Sequence, residues 1–141
     1  MIWKKKIEIK KINENQSNTM AEFLNIIVTD VGKDFIKAKM PVNEKTKQPF
    51  GILNGGASVT LAETIGSIAS NLCLIDPFYA VGLEINANHI KSVSSGHVIG
   101  ITRPIHLGKS THVWETRLTQ NERITCISRL TTAVLKNDVS S

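Results

Sequence analysis

The chain has little of what most directly assigns a function. Its two cysteines, Cys73 and Cys126, stand alone without a CxxC spacing, which gives no support to a structural disulfide or a zinc site. Only seven aromatics are present (Trp 2, Tyr 1, Phe 4), too few to interleave with a basic surface as nucleic-acid binding requires, and no nucleic-acid motif surrounds them. Four prolines and nine glycines gather into no linker that would divide the chain, and there is no internal repeat or low-complexity tract. The one long apolar stretch, Gly55 to Ile75, carries Glu63 near its middle and Asn71 further on, which speaks against a membrane span. The residues after the N-terminal lysines, Ile7 to Asn18, are too polar to form the apolar core of a signal peptide, so we expect the cytoplasm.

At 141 residues, 41% hydrophobic and 21% charged, the chain is long enough to bury a core as a single domain over residues 1–141. The formal charge of +5 comes largely from Lys4, Lys5, Lys6, Lys10 and Lys11, which read as a solvated face. Phosphates on a small ligand stay open as partners.

Periodicity gives the element order. Thr19 to Asn25 reads as a short helix; Ile26 to Val31 and Phe35 to Pro41 read as strands joined at Gly32-Lys33-Asp34. In the second of these Ile36, Ala38 and Met40 alternate with Lys37 and Lys39. Val42 to Asn54 is polar and irregular, and Gly56 to Leu74 reads as a long helix. That helix is small on nearly every face, so we expect it to be buried with a sheet wrapped round it. Tyr79 to Ile90, Val98 to His106, Val113 to Thr119 and Ile124 to Leu135 read as four strands, the last two joined at Gln120 to Glu122. Short connections favour an antiparallel meander.

Glu63 most needs explaining, because a carboxylate in a small, apolar helix must be paired, solvated by a cavity or put to use. Thr60, Ser67 and Asn71 share its face at helical spacing. A glutamate merely satisfied by these neighbours remains an alternative at this point. Gly55 and Gly56 sit where the helix begins, so their N–H groups lack partners within it and lie at the positive end of its dipole, with no side chain to obstruct a substrate carbonyl. Cys73 and Cys126 fall on apolar periodic positions and read as core fillers. His97, His106 and His112 show no metal-ligand spacing and read as surface or ligand-lining residues; no metal is expected.

Lys47-Gln48-Pro49-Phe50-Gly51-Ile52-Leu53-Asn54-Gly55-Gly56-Ala57-Ser58, followed by Leu61-Ala62-Glu63-Thr64-Ile65-Gly66-Ser67, resembles the signature of hotdog-fold thioesterases. It is most similar to the aryl-CoA group that includes the bacterial 1,4-dihydroxy-2-naphthoyl-CoA hydrolases and the phenylacetic-acid-type and enterobactin-associated thioesterases. Met1-Ile2-Trp3-Lys4, Gly82 to His89 and Ser128 to Ala133 share the resemblance. It implies an α+β hotdog fold, an antiparallel sheet wrapped round one long central helix, with dimers joined edge to edge, dimer-of-dimers tetramers and active sites between subunits. It also implies hydrolysis of acyl-CoA thioesters, a place in menaquinone biosynthesis, and no cofactor beyond the CoA of the substrate. Glu63 would be nucleophile or general base, Gly55 N–H and the Gln48 amide would hold the carbonyl oxygen, and Ser67 would help position the attacking group from the partner subunit. The family's ligand-contacting segments fall on Gly82, on His89, Ile90, Lys91 and Ser92, and on His106, Leu107, Gly108, Lys109, Ser110 and Thr111, with Lys91 and Lys109 as partners for CoA phosphates.

One position departs from the pattern. Where the family usually has His-Gly-Gly, this chain has Asn54-Gly55-Gly56, and an amide cannot exchange a proton near neutral pH as an imidazole can. We expect a working but slower enzyme. An acyl-CoA-binding module without turnover is the alternative from another class, and a hotdog dehydratase is disfavoured because its catalytic histidine is missing from the helix start.

Overall fold

The computed structural model describes residues 1–138. Two short helices, α1 (Ile9–Glu14) and α2 (Met20–Phe23), precede strands β1 (Ile27–Val31) and β2 (Ile36–Pro41). The long helix α3 (Gly55–Leu72) follows, and β3 (Phe78–His89), β4 (His97–Leu107), β5 (Thr111–Gln120) and β6 (Arg123–Lys136) complete the chain. The six strands form one antiparallel sheet in the order β1-β2-β4-β5-β6-β3, and α3 packs on its inner face. This is the α+β hotdog arrangement expected from the sequence.

The pairing of the later strands is not a simple meander. β4, β5 and β6 run as expected, with Asn121 and Glu122 at positive φ in a two-residue turn. β3 pairs instead with β6 over Phe78↔Lys136 to His89↔Cys126, which puts it at the sheet edge. The connection at 90–96 therefore crosses the end of the sheet to reach β4. Seven extended residues reach about 23 Å, against about 14 Å for three strand spacings, so a short link suffices. It is fastened on the way by Ile90 and Lys91 N–H to the Thr125 carbonyl and by Leu53 N–H to the Val93 carbonyl.

α1 lies in a segment whose polar composition gave no helix. It forms because Ile12 is buried against the core and because Asn13 clamps β1, its amide donating to the Val28 carbonyl at 3.0 Å and its oxygen accepting from Val28 N–H at 2.9 Å. Thr19 caps α2, shorter than the expected 19–25, by accepting from Glu22 N–H.

α3 is held close to the sheet by small residues. A Cβ on Gly66 would fall 2.7 Å from the buried Leu130 side chain, so any side chain there would make Leu130 shift or the helix rise from β6. Leu61, Ala62, Ile65 and Ala69 are fully buried, together with Trp114, Ile36, Met40, Leu118 and Leu130 from the strands. The other side of α3 corrects the expectation of all-round burial: Thr60, Glu63, Thr64, Ser67, Ile68 and Asn71 are only half-buried, because α1 and α2 arch over them and leave a cavity. Cys73 and Cys126 are buried, as read from the sequence.

Candidate active site

Asn54 opens α3 as its N-cap. Its backbone is extended (φ −66°, ψ 131°), and its side-chain oxygen accepts from Gly56 N–H at 2.8 Å. That is the geometry in which Asn ranks among the best residues. The Asn54 carbonyl accepts from Ala57 and Ser58, so Gly55 N–H is the donor left at the positive end of the helix dipole. The loop before it is fixed by Thr46, buried and bonded to the Pro41 carbonyl, and by Asn54 N–H donating to the Thr46 carbonyl. In that loop the Gln48 side chain accepts from Phe50 N–H. Only its oxygen can accept, which leaves the amide N–H groups free to donate elsewhere.

Gln48 and Gly55 line a cavity of about 260 Å³ together with Ser58, His89, Ile90, Lys91 and Ser92. The His89 ring lies so close to the helix start that a Cβ on Gly55 would sit 2.6 Å from His89 Nε2. Six residues that the sequence assigned to catalysis or substrate binding thus meet here.

Glu63 is elsewhere. It lines a second cavity, of about 560 Å³, on the other flank of α3, with Thr60, Thr64, Ser67, Ile68, Asn71 and Leu72 from the helix itself and Lys5, Ile12, Asn15, Gln16, Thr19, Met20 and Ala21 from the N-terminal segment. Its carboxylate lies against β3, where a Cβ on Gly82 would be 2.5 Å from Glu63 Oε1. Among the described residues no ion pair includes Glu63, and the residue lines the cavity. Asn71, by contrast, is committed to structure: its amide donates to the Ser67 and Ala80 carbonyls and its oxygen accepts from Ala80 N–H. Asn15, Gln16, Thr19 and Met20 were not singled out from the sequence. The Thr19-Met20-Ala21-Glu22 capping pattern was the available signal.

The third group, His106 to Thr111, forms the end of β4 and its turn into β5, closed by Gly108 N–H to the Thr111 carbonyl and tied to β6 by Val134 N–H to the Ser110 carbonyl. It borders neither cavity. Lys91 and Lys109 are both exposed. His112 corrects its sequence reading: it is neither surface nor ligand-lining but buried, on the inner face of β5. Burial holds its pKa below the usual 6.5; nearby His106 pushes it the same way, and a backbone hydrogen bond at Gly108 opposes both. Among the described residues no cluster of three metal-ligating side chains is found, and no helix is long and apolar enough to cross a membrane.

A carboxylate open to a cavity and a glycine N–H at a helix start are the parts of an acyl-transfer site. The thioesterase superfamily pattern matches residues 50–127, and the chain belongs to that family. It is a thioesterase of hotdog fold. Among its relatives, the 1,4-dihydroxy-2-naphthoyl-CoA hydrolase of Escherichia coli (strain K12) is 48% identical over 136 residues, covering 96% of this chain and all of that one. The proofreading thioesterase EntH of Cronobacter sakazakii is 45% identical over 136 residues, covering 96% and 99%. A crystal structure of a thioesterase from Haemophilus influenzae superposes with a TM-score of 0.96 at 43% identity, over the full length of both chains.

Proposed function

We propose that the protein hydrolyses aryl-CoA thioesters, 1,4-dihydroxy-2-naphthoyl-CoA among them, to the free acid and CoA, at sites completed between two copies of the chain. The observation that carries this reading is Glu63, a helix carboxylate with no ion-pair partner among the described residues, facing a cavity large enough for a bicyclic acyl group. Gly55 N–H and the Gln48 amide bind the thioester oxygen as it gains charge. Glu63 either adds to the carbonyl carbon, expelling the thiolate and leaving an anhydride for water to open, or removes a proton from the water that adds. The acid and the thiol are released either way. A single turnover in oxygen-18 water that leaves label in the Glu63 carboxylate identifies an anhydride opened at the Glu63 carbon, an outcome that direct attack of water on the thioester cannot give.

Gly55 and Glu63 are eight residues apart on one helix, about 12 Å along its axis. A reacting carbonyl must lie about 3 Å from both its donors and its attacking group. Gln48 and Gly55 of one copy therefore work with Glu63 and Ser67 of another. The two sheet edges support a pairing: β1 is five residues long and bulged, whereas β3 runs twelve residues at the other edge and exposes Tyr79, Val81 and Leu83. A long apolar edge strand is a ready template for pairing with another chain. Two such dimers associate as a tetramer in this reading, the β4–β5 turn and Lys91 hold the CoA nucleotide, and the reaction belongs to menaquinone biosynthesis in the cytoplasm.

The test is release of CoA from benzoyl-CoA and 1,4-dihydroxy-2-naphthoyl-CoA, with Glu63→Gln as control. Turnover that falls about 10³-fold or more in the control supports the reading. Binding of both esters without turnover in the unaltered protein would replace it with the acyl-CoA-binding module.

A further inference from the structure

A buried hydrogen-bonded cluster lies beneath α3, one strand away from the point where Glu63 meets the sheet. Ser70 Oγ is its hub: it accepts from Trp114 Nε1 at 2.9 Å and lies 2.8 Å from His112 Nδ1 and 2.7 Å from Thr132 Oγ1. All four residues are at most 3% exposed. None belongs to the residues assigned to catalysis or substrate binding.

Two alignments connect the cluster to the carboxylate. Along the helix, Glu63, Ser67 and Ser70 stand at i, i+4 and i+7, one stripe on one side of α3. Across the sheet, Gly82 pairs with Thr132, and Thr132 pairs with His112. The row Gly82–Thr132–His112 thus lies under that stripe, with Glu63 against Gly82 at one end and Ser70 bonded to the next two residues.

With the His112 ring proton on Nε2, the donors and acceptors close into a consistent arrangement. Trp114 Nε1 can only donate. In that tautomer Nε2 faces the Gly108 backbone with its proton. Nδ1 then accepts from the Ser70 hydroxyl, and Ser70 Oγ accepts from Thr132 and Trp114. Each group has a partner, so rotating or lifting α3 leaves several buried polar atoms unsatisfied at once. Apolar packing alone tolerates small slides of a helix; a satisfied hub fixes one register.

We propose that Ser70, His112 and Thr132 are positioning residues, which lock the height and rotation of α3 over β6 and β5 and thereby seat the Glu63 carboxylate against Gly82. The proposal rests on Glu63 as the attacking or activating carboxylate. Displacing such a group by a fraction of an ångström costs rate and not ground-state affinity, because the substrate's remote contacts are untouched.

The test uses the full chain and CoA release from 1,4-dihydroxy-2-naphthoyl-CoA, well below each variant's thermal midpoint. Ser70→Ala and the isosteric Thr132→Val each lower kcat about tenfold with KM within about twofold. His112→Phe does the same, and His112→Asn, whose amide can accept from Ser70 and donate towards Gly108, restores most of the rate. Should His112→Phe fail to fold, the Ser70 and Thr132 variants carry the test. Unchanged kcat in Ser70→Ala and Thr132→Val, with Glu63→Gln inactive, overturns the positioning role and leaves the catalytic carboxylate standing. Full activity in Glu63→Gln overturns the reading beneath it.

Discussion

The two flanks of α3 carry cavities of opposite chemistry. At its N-terminal end, Gln48, Gly55 and His89 line a cavity of about 260 Å³ that offers hydrogen-bond donors and no carboxylate. Midway along, Glu63 and Ser67 face a cavity of about 560 Å³ under α1 and α2 that offers a carboxylate and apolar walls. The first can stabilise negative charge on an oxygen; the second can attack or activate water beside an acyl group. The stretch of α3 from Gly55 to Glu63, about 12 Å along its axis, separates the donors of the first from the carboxylate of the second. On the proposed function, a second copy of the chain supplies the half that each cavity lacks.

Mixing two disabled chains tests this most severely. Gln48→Ala and Glu63→Gln, each nearly inactive alone, are dissociated and reassembled at equal amounts. Half of the dimers are then mixed, and in each of those one of the two sites has an intact Gln48 facing an intact Glu63, so activity returns to about a quarter of the unaltered level. If both residues served one site within one chain, no mixture would recover activity, and the comparison between the two flanks would lose its meaning.

Gly82 sharpens the carboxylate side. Its missing Cβ leaves the room that Glu63 Oε1 occupies, 2.5 Å from where that atom would be. Because the obstructed atom is the free end of a flexible side chain, Gly82→Ala moves the carboxylate without disturbing the core. We expect kcat to fall about 10- to 100-fold while the thermal midpoint shifts by only a degree or two. A large loss of stability with kcat preserved in the folded fraction would show that Gly82 serves β3 and not Glu63.

Asn54 sharpens the other side. Its oxygen caps Gly56 N–H, so Asn54→His exchanges a good helix cap for the family's imidazole. The expected result is opposite in sign for two measurements: kcat rises about tenfold, and stability falls by about 1 kcal/mol. An unchanged rate would mean that this position does not limit catalysis.

How much of this was legible in the sequence depends on whether a residue's role is local. The alternation of Ile36, Ala38 and Met40, the turn at Gln120 to Glu122 and the small-residue helix were legible because their signals lie within a few residues, and the family signature around Asn54 and Glu63 added the architecture. The position of β3 beside β6 was not legible, since nothing local distinguishes a link that crosses the sheet end from one that turns back. α1 was hidden because its hold on β1 comes from Asn13, a polar side chain that reads as solvent-facing until its partner at Val28 is known. His112 was misread for the same reason. Its neighbours in the chain are ordinary strand residues, and the partners that bury it, Ser70 and Thr132 through a shared hydroxyl, come from elements 42 and 20 positions away.

That buried imidazole leads to the smallest effect and the one with a definite sign. Burial and His106 lower the His112 pKa in the folded state, more than the Gly108 backbone bond raises it. In the unfolded chain the ring takes a proton near its ordinary value of 6.5; the folded state resists. Between those two values the unfolded state binds more protons, so stability rises with pH there. The contribution is complete above about pH 6.5 and is lost progressively as pH falls towards the folded value. Thermal midpoints measured from about pH 7.5 to pH 5 should therefore fall a few degrees more for the unaltered protein than for His112→Asn, which has no proton to gain. Parallel curves would mean that the ring accepts its proton inside the fold, and the Ser70 hub would then have to reverse a hydrogen bond without loosening α3.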